Sequence, residues 1–483
     1  MLNKFRKFRI YFFLFFLITL GLFLRFHNLE NLYIFGFDEE YQATYAMTLV
    51  QDMHPIWIGV SASFLDYYLG PYFTYFTAFW FWLSHGDPLI TAYVAAVVGV
   101  ITSVVIFFVG QKFFNLTTGI ISSLLYAGLP LFVFYDQKYW NPMFVQLIVL
   151  SMFASLLLIK KSPWWWLLFT ASVGAIFQTD LAPLPLVIIG IWLFISGKYF
   201  LNKKLLISCF AVFLFFYWPL LVFDYYHNWS NLTVLGRYNK QASKAGAKFD
   251  PKHKLFSVAD TMSRFWYLNP GNSNADELNI SCGVEKTYPS FWLSGLSVIL
   301  FLYFLNMAFR KREYPYRLLA YFLIVSLGFY LIYSGGSFEY YLHGFVTLFT
   351  LIVGVIVSQV NKKYRPLFFI LIIIALLAGF NTVINSSDKY SLGAKKKLIS
   401  KVMIEVGDNS FFIDQGGVCH TYEGWRYLFK IYGRTPDKSF TDQNFAWLYP
   451  EELNNKKVVY DVILSEYGTI KAGGFGADIN KIE

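Results

Sequence analysis

Three consecutive carboxylates, Asp38, Glu39 and Glu40, stand in the stretch FGFDEEYQATYAM, residues 35–47. They follow by about a dozen residues an apolar segment of membrane-spanning length. An ionised carboxylate so placed can act as a general base, taking the proton of an attacking hydroxyl. It can equally do no more than cap a helix. Tyr41, Tyr45 and Leu49 follow at helical spacing, and acids in a first turn are stabilised by the dipole and the free amides. Asp66 and Asp180, the latter in FQTDLAPLP, could bind hydroxyls or an ion. An unpaired carboxylate facing lipid is costly, so Asp180 is expected to face a cavity or water. Asp136 and Asp224 carry the same two readings, cavity-facing or solvated at the interface.

The elements that hold these residues must be membrane helices. Of the 483 residues 56% are hydrophobic and 14% charged, which excludes a soluble multidomain protein. Apolar stretches near the spanning length fall at 10–26, 90–110, 117–135, 143–159, 164–179, 183–197, 204–223, 290–309, 317–333, 340–358 and 366–384. That makes about eleven. The first follows KFRKFR and lacks a small-residue cleavage site, so it reads as a retained span with its basic flank in the cytoplasm.

With that start, the inner connections carry Lys112, Lys160, Lys161, Lys198, Lys203, Lys204, Arg310, Lys311, Arg312, Arg317, Lys362, Lys363 and Arg365. The positive-inside rule is met at each, and the net charge of +10 reflects topology rather than a nucleic-acid partner. The acids Asp38, Glu39, Glu40, Asp66, Asp87, Asp136, Asp180, Asp224 and Glu339 then fall on the outer side, leaving the span centres almost uncharged. A transporter or proton pump would place ionisable groups near the midplane.

The segment YFTYFTAFWFWLSHG, residues 72–86, is short for a span, and its Tyr and Trp residues suit an interfacial helix. A tilted short span is the alternative. Residues 1–384 form the expected membrane domain, and 385–483 a small soluble α/β domain on the outer side. In the latter, SFFIDQG and KKVVYDVILSEYG read as strands and TYEGWRYLFKIYG as a helix. GAKKKLISK, close after the last span, argues weakly for the opposite side. Cys209 lies within a span; Cys282 and Cys419 read as unpaired thiols, although a disulfide between them stays open. No Cys/His cluster has zinc spacing.

In order and sidedness, several motifs give the chain a likeness across nearly its whole length. They are FDEEYQATYAM after the first span, GPYFTYF, a span ending in GQKFFN, YWNPMF, FDYYHNWSNLTVL before a long outer loop at 224–289, and GGSFEYYLHGF. With these the chain resembles the GT-C class of membrane glycosyltransferases that use polyprenyl-phosphate sugars, in the branch of the protein O-mannosyltransferases and the lipid A aminoarabinose transferase. The resemblance implies an all-α polytopic membrane body with a sugar-donor cavity at its outer face. It also implies a plasma-membrane location, with the N-terminus cytoplasmic and the C-terminal domain extracytoplasmic.

Carried over by position, Asp38 matches the family's catalytic base and Glu39 its neighbouring acid. Tyr340 matches a tyrosine that contacts the donor phosphate, and Asn141 stands where some relatives have Asp before Pro. Where the aminoarabinose transferase has Glu-Lys-Pro, with its lysine at the phosphate, this chain has Leu69-Gly70-Pro71. The cation that steadies the leaving phosphate must come from elsewhere, and Lys138, His343, Arg237 and Arg264 are the candidates, against the reading of each as an ordinary interfacial side chain. The implied reaction is an inverting transfer of a sugar from a polyprenyl-phosphate donor to an acceptor hydroxyl at the outer face. A single displacement of this kind does not need the paired carboxylates of a double-displacement glycosidase. The acceptor, whether glycan, lipid or protein, is not legible. Membrane lipids are the other expected partner. No cofactor is required, although the acidic rim leaves room for a divalent cation. The alternative is a transporter or flippase of lipid-linked saccharides, for which alternating access predicts pseudo-symmetric repeats; none is visible.

Overall fold

The structure, a computed structural model, describes residues 2–482 apart from 63–66, 235, 237–249, 269–288, 335–337, 417–423 and 454–456, and for 2–6 the backbone alone. The chain opens with α1 (Leu2–Phe26), followed by two shorter helices, α2 (Phe37–Asp52) and α3 (Tyr72–Ser84). The apolar body continues through α4 (Leu89–Phe113), α5 (Leu116–Gly128), α6 (Pro130–Tyr135), α7 (Val145–Leu158), α8 (Trp166–Thr179), α9 (Val187–Ser196) and α10 (Lys203–Tyr226). After α11 (Pro251–Trp266) come α12 (Phe291–Lys311), α13 (Tyr314–Ile332), α14 (His343–Gln359) and α15 (Arg365–Asn385).

Every apolar segment expected from the sequence is helical, and among the described residues eight helical stretches have the length and hydropathy to cross a membrane. The segment at 117–135 is two pieces, α5 and α6. Leu129 takes extended backbone (φ −80°, ψ 134°) ahead of Pro130, whose missing N–H cannot continue the helical ladder. α8 and α9 are likewise shortened, each entered through a short 3-10 turn at Pro163–Trp165 and Leu184–Leu186. α3, at 13 residues, is too short to be among the eight. The long loop at 224–289 contains α11, which the sequence reading passed over. Its start was legible: Asp250 caps the amides of Lys252 and His253 at 3.0 and 3.1 Å, and Pro251 occupies the first turn.

α14 runs through the centre of the body, buried continuously from His343 to Val357 among α5, α7, α12 and α13. α1, α10, α12 and α15 instead keep one apolar face outward; Phe12 and Phe15 of α1 are 66% and 69% exposed. Exposed aliphatic and aromatic faces on long helices are those of a lipid-facing shell. Charged residues segregate to the two ends. At one end the Lys160 ammonium lies 3.8 Å from the Tyr314 ring centre, that of Lys311 4.8 Å from Tyr316, and Arg365 donates to the Ser358 carbonyl at 3.0 Å. Asp87, Asp180 and Glu339 stand at the other.

Asp136 and Asp224 correct the expectation of an acidic rim open to a cavity or solvent. Asp136 is 5% exposed, and its Oδ2 accepts from Nε and Nη2 of fully buried Arg25 at 2.9 and 2.6 Å. Arg25 also donates to the carbonyls of Tyr126 and Ala127, and the Tyr126 hydroxyl donates to Asp136 Oδ1 at 3.0 Å. This is a structural ion pair with its donors satisfied by helix ends. Asp224 is fully buried and accepts the Asn231 amide at 2.7 Å, closing the turn after α10.

The chain after α15 forms a small α/β domain: α16 (Leu392–Val406), β1 (Phe411–Gln415), α17 (Trp425–Tyr432), β2 (Lys438–Ser439), α18 (Asp442–Phe445), β3 (Tyr460–Ser465), β4 (Ile470–Ala472) and β5 (Phe475–Lys481). The sheet order is β2-β1-β3-β5-β4, with β1 parallel to β2 and β3, and β5 antiparallel to β3 and β4. The domain does not hang free. Its Leu398, Phe411, Trp425 and Phe475 share one core with Phe35, Ala46, Phe81 and Ala92 of the membrane body. Polar ties reinforce the seam: Lys395 Nζ donates to the Phe35 carbonyl at 2.6 Å, Tyr427 Oη to the Gly86 carbonyl at 2.7 Å and Tyr432 Oη to Asp87 at 2.6 Å. Gly424, at φ +77°, caps α17 where a Cβ would meet the Phe35 ring at 2.5 Å, so position and conformation both demand glycine. Cys209 lies half-buried in α10; Cys282 and Cys419 lie outside the described residues.

Candidate active site

Consecutive residues of a helix point about 100° apart, so Asp38, Glu39 and Glu40 at the start of α2 must diverge. They do three different things. Asp38 is exposed. Glu39 is 8% exposed and turns back, its Oε2 accepting the Gly36 amide at 3.1 Å; Gly36 has no side chain to return a bond, so only this half of a capping box exists. Glu40, 1% exposed, reaches the C-terminal domain, where its Oε1 accepts the Tyr427 amide in the first turn of α17 at 2.9 Å. One carboxylate faces outward, one caps its own helix and one caps another. The helix-capping reading holds for Glu39 and Glu40, and Asp38 is the member left exposed.

Burial pushes the carboxyls of both Glu39 and Glu40 up to about 7, although Lys138 opposes the shift at Glu39 and Lys395 and Arg426 oppose it at Glu40. The sign for domain docking follows. Docked Glu40 keeps its proton where a solvated carboxyl, titrating near 4.5, has lost it. Docking is thus strongest below 4.5, weakens as pH rises from there to about 7, and is flat above. Glu40→Gln, neutral throughout and still able to accept from Tyr427, is expected to flatten that dependence. The rate of proteolytic release of the C-terminal domain against pH measures it.

Around Asp38 the fold assembles groups from distant parts of the chain. The Tyr340 phenol lies within electrostatic reach of both Asp38 and Asp180. Asp180 closes α8 in extended backbone and accepts the Ala182 amide at 2.7 Å; burial pushes its carboxyl up to about 6. The Tyr340 ring meets Trp140 edge-on at 4.8 Å, and Lys138 Nζ sits 4.2 Å from the centre of that indole, within reach of Glu39. Asn141, half-buried, opens the 3-10 turn Asn141–Phe144 beside Trp140.

Behind this group lies a second layer. Glu339, next to Tyr340, accepts from Arg264 Nη1 at 2.7 Å and from the Tyr135 hydroxyl at 2.5 Å. The Tyr135 ring packs edge-on against His343 at 3.8 Å, and His343 Nδ1 pairs with Gln146 at 3.2 Å.

Of the residues singled out from sequence, Asp38, Glu39, Lys138, Asp180 and Tyr340 are linked through these interactions, and Asn141 stands next to Trp140 in the chain. Arg264 and His343 are committed to the layer behind, and Asp66 and Arg237 lie outside the described residues. Sequence reasoning missed Trp140, the wall shared by Lys138 and Tyr340, although it stands inside the quoted YWNPMF motif. It also missed Lys254 on α11, 2% exposed, whose ammonium lies 4.7 and 5.3 Å from the ring centres of Tyr330 and Tyr333. No local signal marks a buried lysine in a loop taken as irregular. Among the described residues no group of three or more His, Cys, Asp or Glu has metal-holding geometry.

No family model and no curated relative matches the sequence. Solved structures do. ArnT from Cupriavidus metallidurans bound to undecaprenyl phosphate superposes with a TM-score of 0.60 over 97% of this chain and 97% of its own, at 10% identity. The archaeal oligosaccharyltransferase AglB from Archaeoglobus fulgidus, in complex with an inhibitory peptide and a dolichol-phosphate, gives 0.53 over 95% of this chain and 70% of its own, at 13% identity. At these identities the likeness is one of architecture, and it spans both the membrane body and the C-terminal domain. The chain has the GT-C fold of membrane glycosyltransferases.

Proposed function

We propose that the protein is an inverting glycosyltransferase of the plasma membrane, moving a sugar from a polyprenyl-phosphate donor to an acceptor hydroxyl on the extracytoplasmic side, where its acidic end and C-terminal domain lie. The observation that carries this reading is the exposed Asp38 carboxylate within electrostatic reach of the Tyr340 phenol, whose ring meets the Trp140 indole that also carries Lys138, in a fold whose solved neighbours hold undecaprenyl phosphate and dolichol-phosphate.

The residues divide the work. Asp38 accepts the acceptor hydroxyl's proton as that oxygen forms the new bond to the anomeric carbon from the face opposite the phosphate. The bond between the anomeric carbon and the phosphate oxygen breaks, its electron pair leaving with the polyprenyl phosphate, which gains one negative charge. Lys138 and the Tyr340 hydroxyl stabilise that charge, since donors aimed at developing charge act most strongly on the transition state. Arg264 is tied to Glu339 and serves the wall rather than the phosphate. Asp180 and Asn141 hold sugar hydroxyls.

Protein purified in detergent and given polyprenyl-phosphate sugars together with hydroxyl-bearing glycan, lipid and peptide acceptors is expected to transfer the sugar and release polyprenyl phosphate. A flippase, with no membrane to cross, would consume nothing, and failure with every polyprenyl-phosphate hexose and pentose in a panel, across these acceptors, overturns the proposal. Lys138→Met is expected to lower turnover by about 10²-fold. Arg264→Met is expected to lower thermal stability instead, by stranding Glu339 in a buried setting. Turnover and melting temperature of the two variants separate the roles.

A further inference from the structure

The face of α2 that presents Asp38 continues into an aromatic surface that no step of the reaction above uses. Tyr41 and Tyr45 follow Asp38 at three and seven residues, within one side of the helix. Their rings lie 5.9 Å apart, and each meets the exposed indole of Trp447 from the C-terminal domain, at 6.5 and 6.1 Å. Phe445 closes the base of the stack, 5.7 Å from Tyr41 and 5.0 Å from Phe37. Trp447 is 61% exposed, and its Nε1 is anchored on the Asn444 carbonyl at 3.1 Å, which holds the ring in place.

Further tyrosines stand near this surface. Tyr41 lies within electrostatic reach of Tyr68, and Tyr45 within reach of Tyr75. Tyr75 is pinned through its hydroxyl to both backbone groups of Ile56, and the Tyr45 hydroxyl donates to the Ile58 carbonyl at 3.3 Å. The rings of Tyr41, Tyr45 and Trp447 thus form an ordered aromatic vestibule along the side of α2 that presents Asp38.

We infer that this vestibule binds a saccharide, and hence that the acceptor hydroxyl belongs to a glycan. The inference rests on the proposed function, because it takes the vestibule's inner end as the place of proton transfer. Three observations point to a sugar rather than an acyl chain or a peptide. The walls are aromatic and carry polar edges, a match for pyranose rings, whose C–H faces lie on π-faces while their hydroxyls take hydrogen bonds at the rim. The side chains of Gln443 and Asn444, next to Trp447, are exposed amides suited to such hydroxyls. The stack stands on the seam between α2 and the C-terminal domain, apart from the exposed apolar faces of α1, α10, α12 and α15, where an acyl chain would lie.

The test uses full-length protein in detergent and three neutral probes, maltotetraose, cellotetraose and chitotetraose, with a serine- and threonine-rich decapeptide alongside. Binding is read by saturation-transfer NMR without donor, and donor consumption is assayed on the same preparations. At least one tetrasaccharide is expected to bind. Trp447→Ala should weaken it about tenfold, the loss of one well-placed aromatic anchor, and Trp447→Phe should retain most of the affinity. The exposure of Trp447 predicts an unchanged melting temperature for both variants. Binding of none of the three sugars, equal binding by Trp447→Ala, or a Trp447-dependent signal from the peptide instead overturns the inference. Protein that consumes donor but binds no saccharide refutes the glycan vestibule and leaves the proposed function standing. Protein that binds a saccharide through Trp447 but consumes no donor does the reverse.

Discussion

Asp38→Asn lowers sugar transfer by about 10²–10⁴-fold, the range for removing a positioned general base. The loss falls on turnover rather than on the donor's KM, because the proton moves only in the transition state. The protein stays folded: Asp38 is exposed, and replacing a first-turn acid by an isosteric amide costs about 0.3–1 kcal/mol of dipole interaction. Glu39→Gln is the control that gives this result its meaning. The glutamine oxygen can still accept from the Gly36 amide, so the cap survives and activity should remain within about tenfold of the parent. Equal losses in the two variants would show that the triplet acts through α2 as a whole, and an active Asp38→Asn would remove the proposed base. Single-turnover assays with labelled donor, alongside melting curves, distinguish these outcomes.

Arg25→Met carries the largest expected cost to stability. It removes three hydrogen-bonded nitrogens and leaves the Asp136 carboxylate buried, with the Tyr126 hydroxyl still donating to it. Breaking one side of a buried pair costs about 3–5 kcal/mol, because the surviving charge has lost both water and counter-ion. The double change Arg25→Met with Asp136→Leu should recover much of that loss, since neither charge then has to be desolvated. Thermal unfolding in detergent measures the cycle. If the double variant is no more stable than the single, the pair's role lies in the carbonyls of Tyr126 and Ala127, which Arg25 also satisfies.

The three carboxylates of FGFDEEYQATYAM show how far a local reading reaches. That they begin a helix was legible, because acids followed by apolar residues at intervals of three and four have few other local solutions. Which of them is available for chemistry was not. Glu40 is engaged by the Tyr427 amide, 387 positions away, and Glu39 by the Gly36 amide of its own turn. Arg264 was one of four cations open to a phosphate or an ordinary interfacial role, and Glu339, 75 residues on, pairs with it. Asp136 had looked like a rim acid, and Arg25, 111 residues earlier, takes that. Lys138 and Tyr340 were legible as residue types at matched motifs; their convergence through Trp140 was not.

From composition and hydropathy period alone come the membrane body, the run of apolar helices, the segregation of charge and the trailing α/β domain. Each is a property of neighbours along the chain, since water, lipid and the hydrogen-bond ladder act on residues a few positions apart. Pairing across the fold is another matter. Hydrogen bonds and ring contacts between segments hundreds of residues apart depend on how helices pack and on where α17 meets α2, and nothing in a linear pattern encodes that docking. Which carboxylate stays exposed, and which aromatic rings line its approach, was therefore decided in three dimensions.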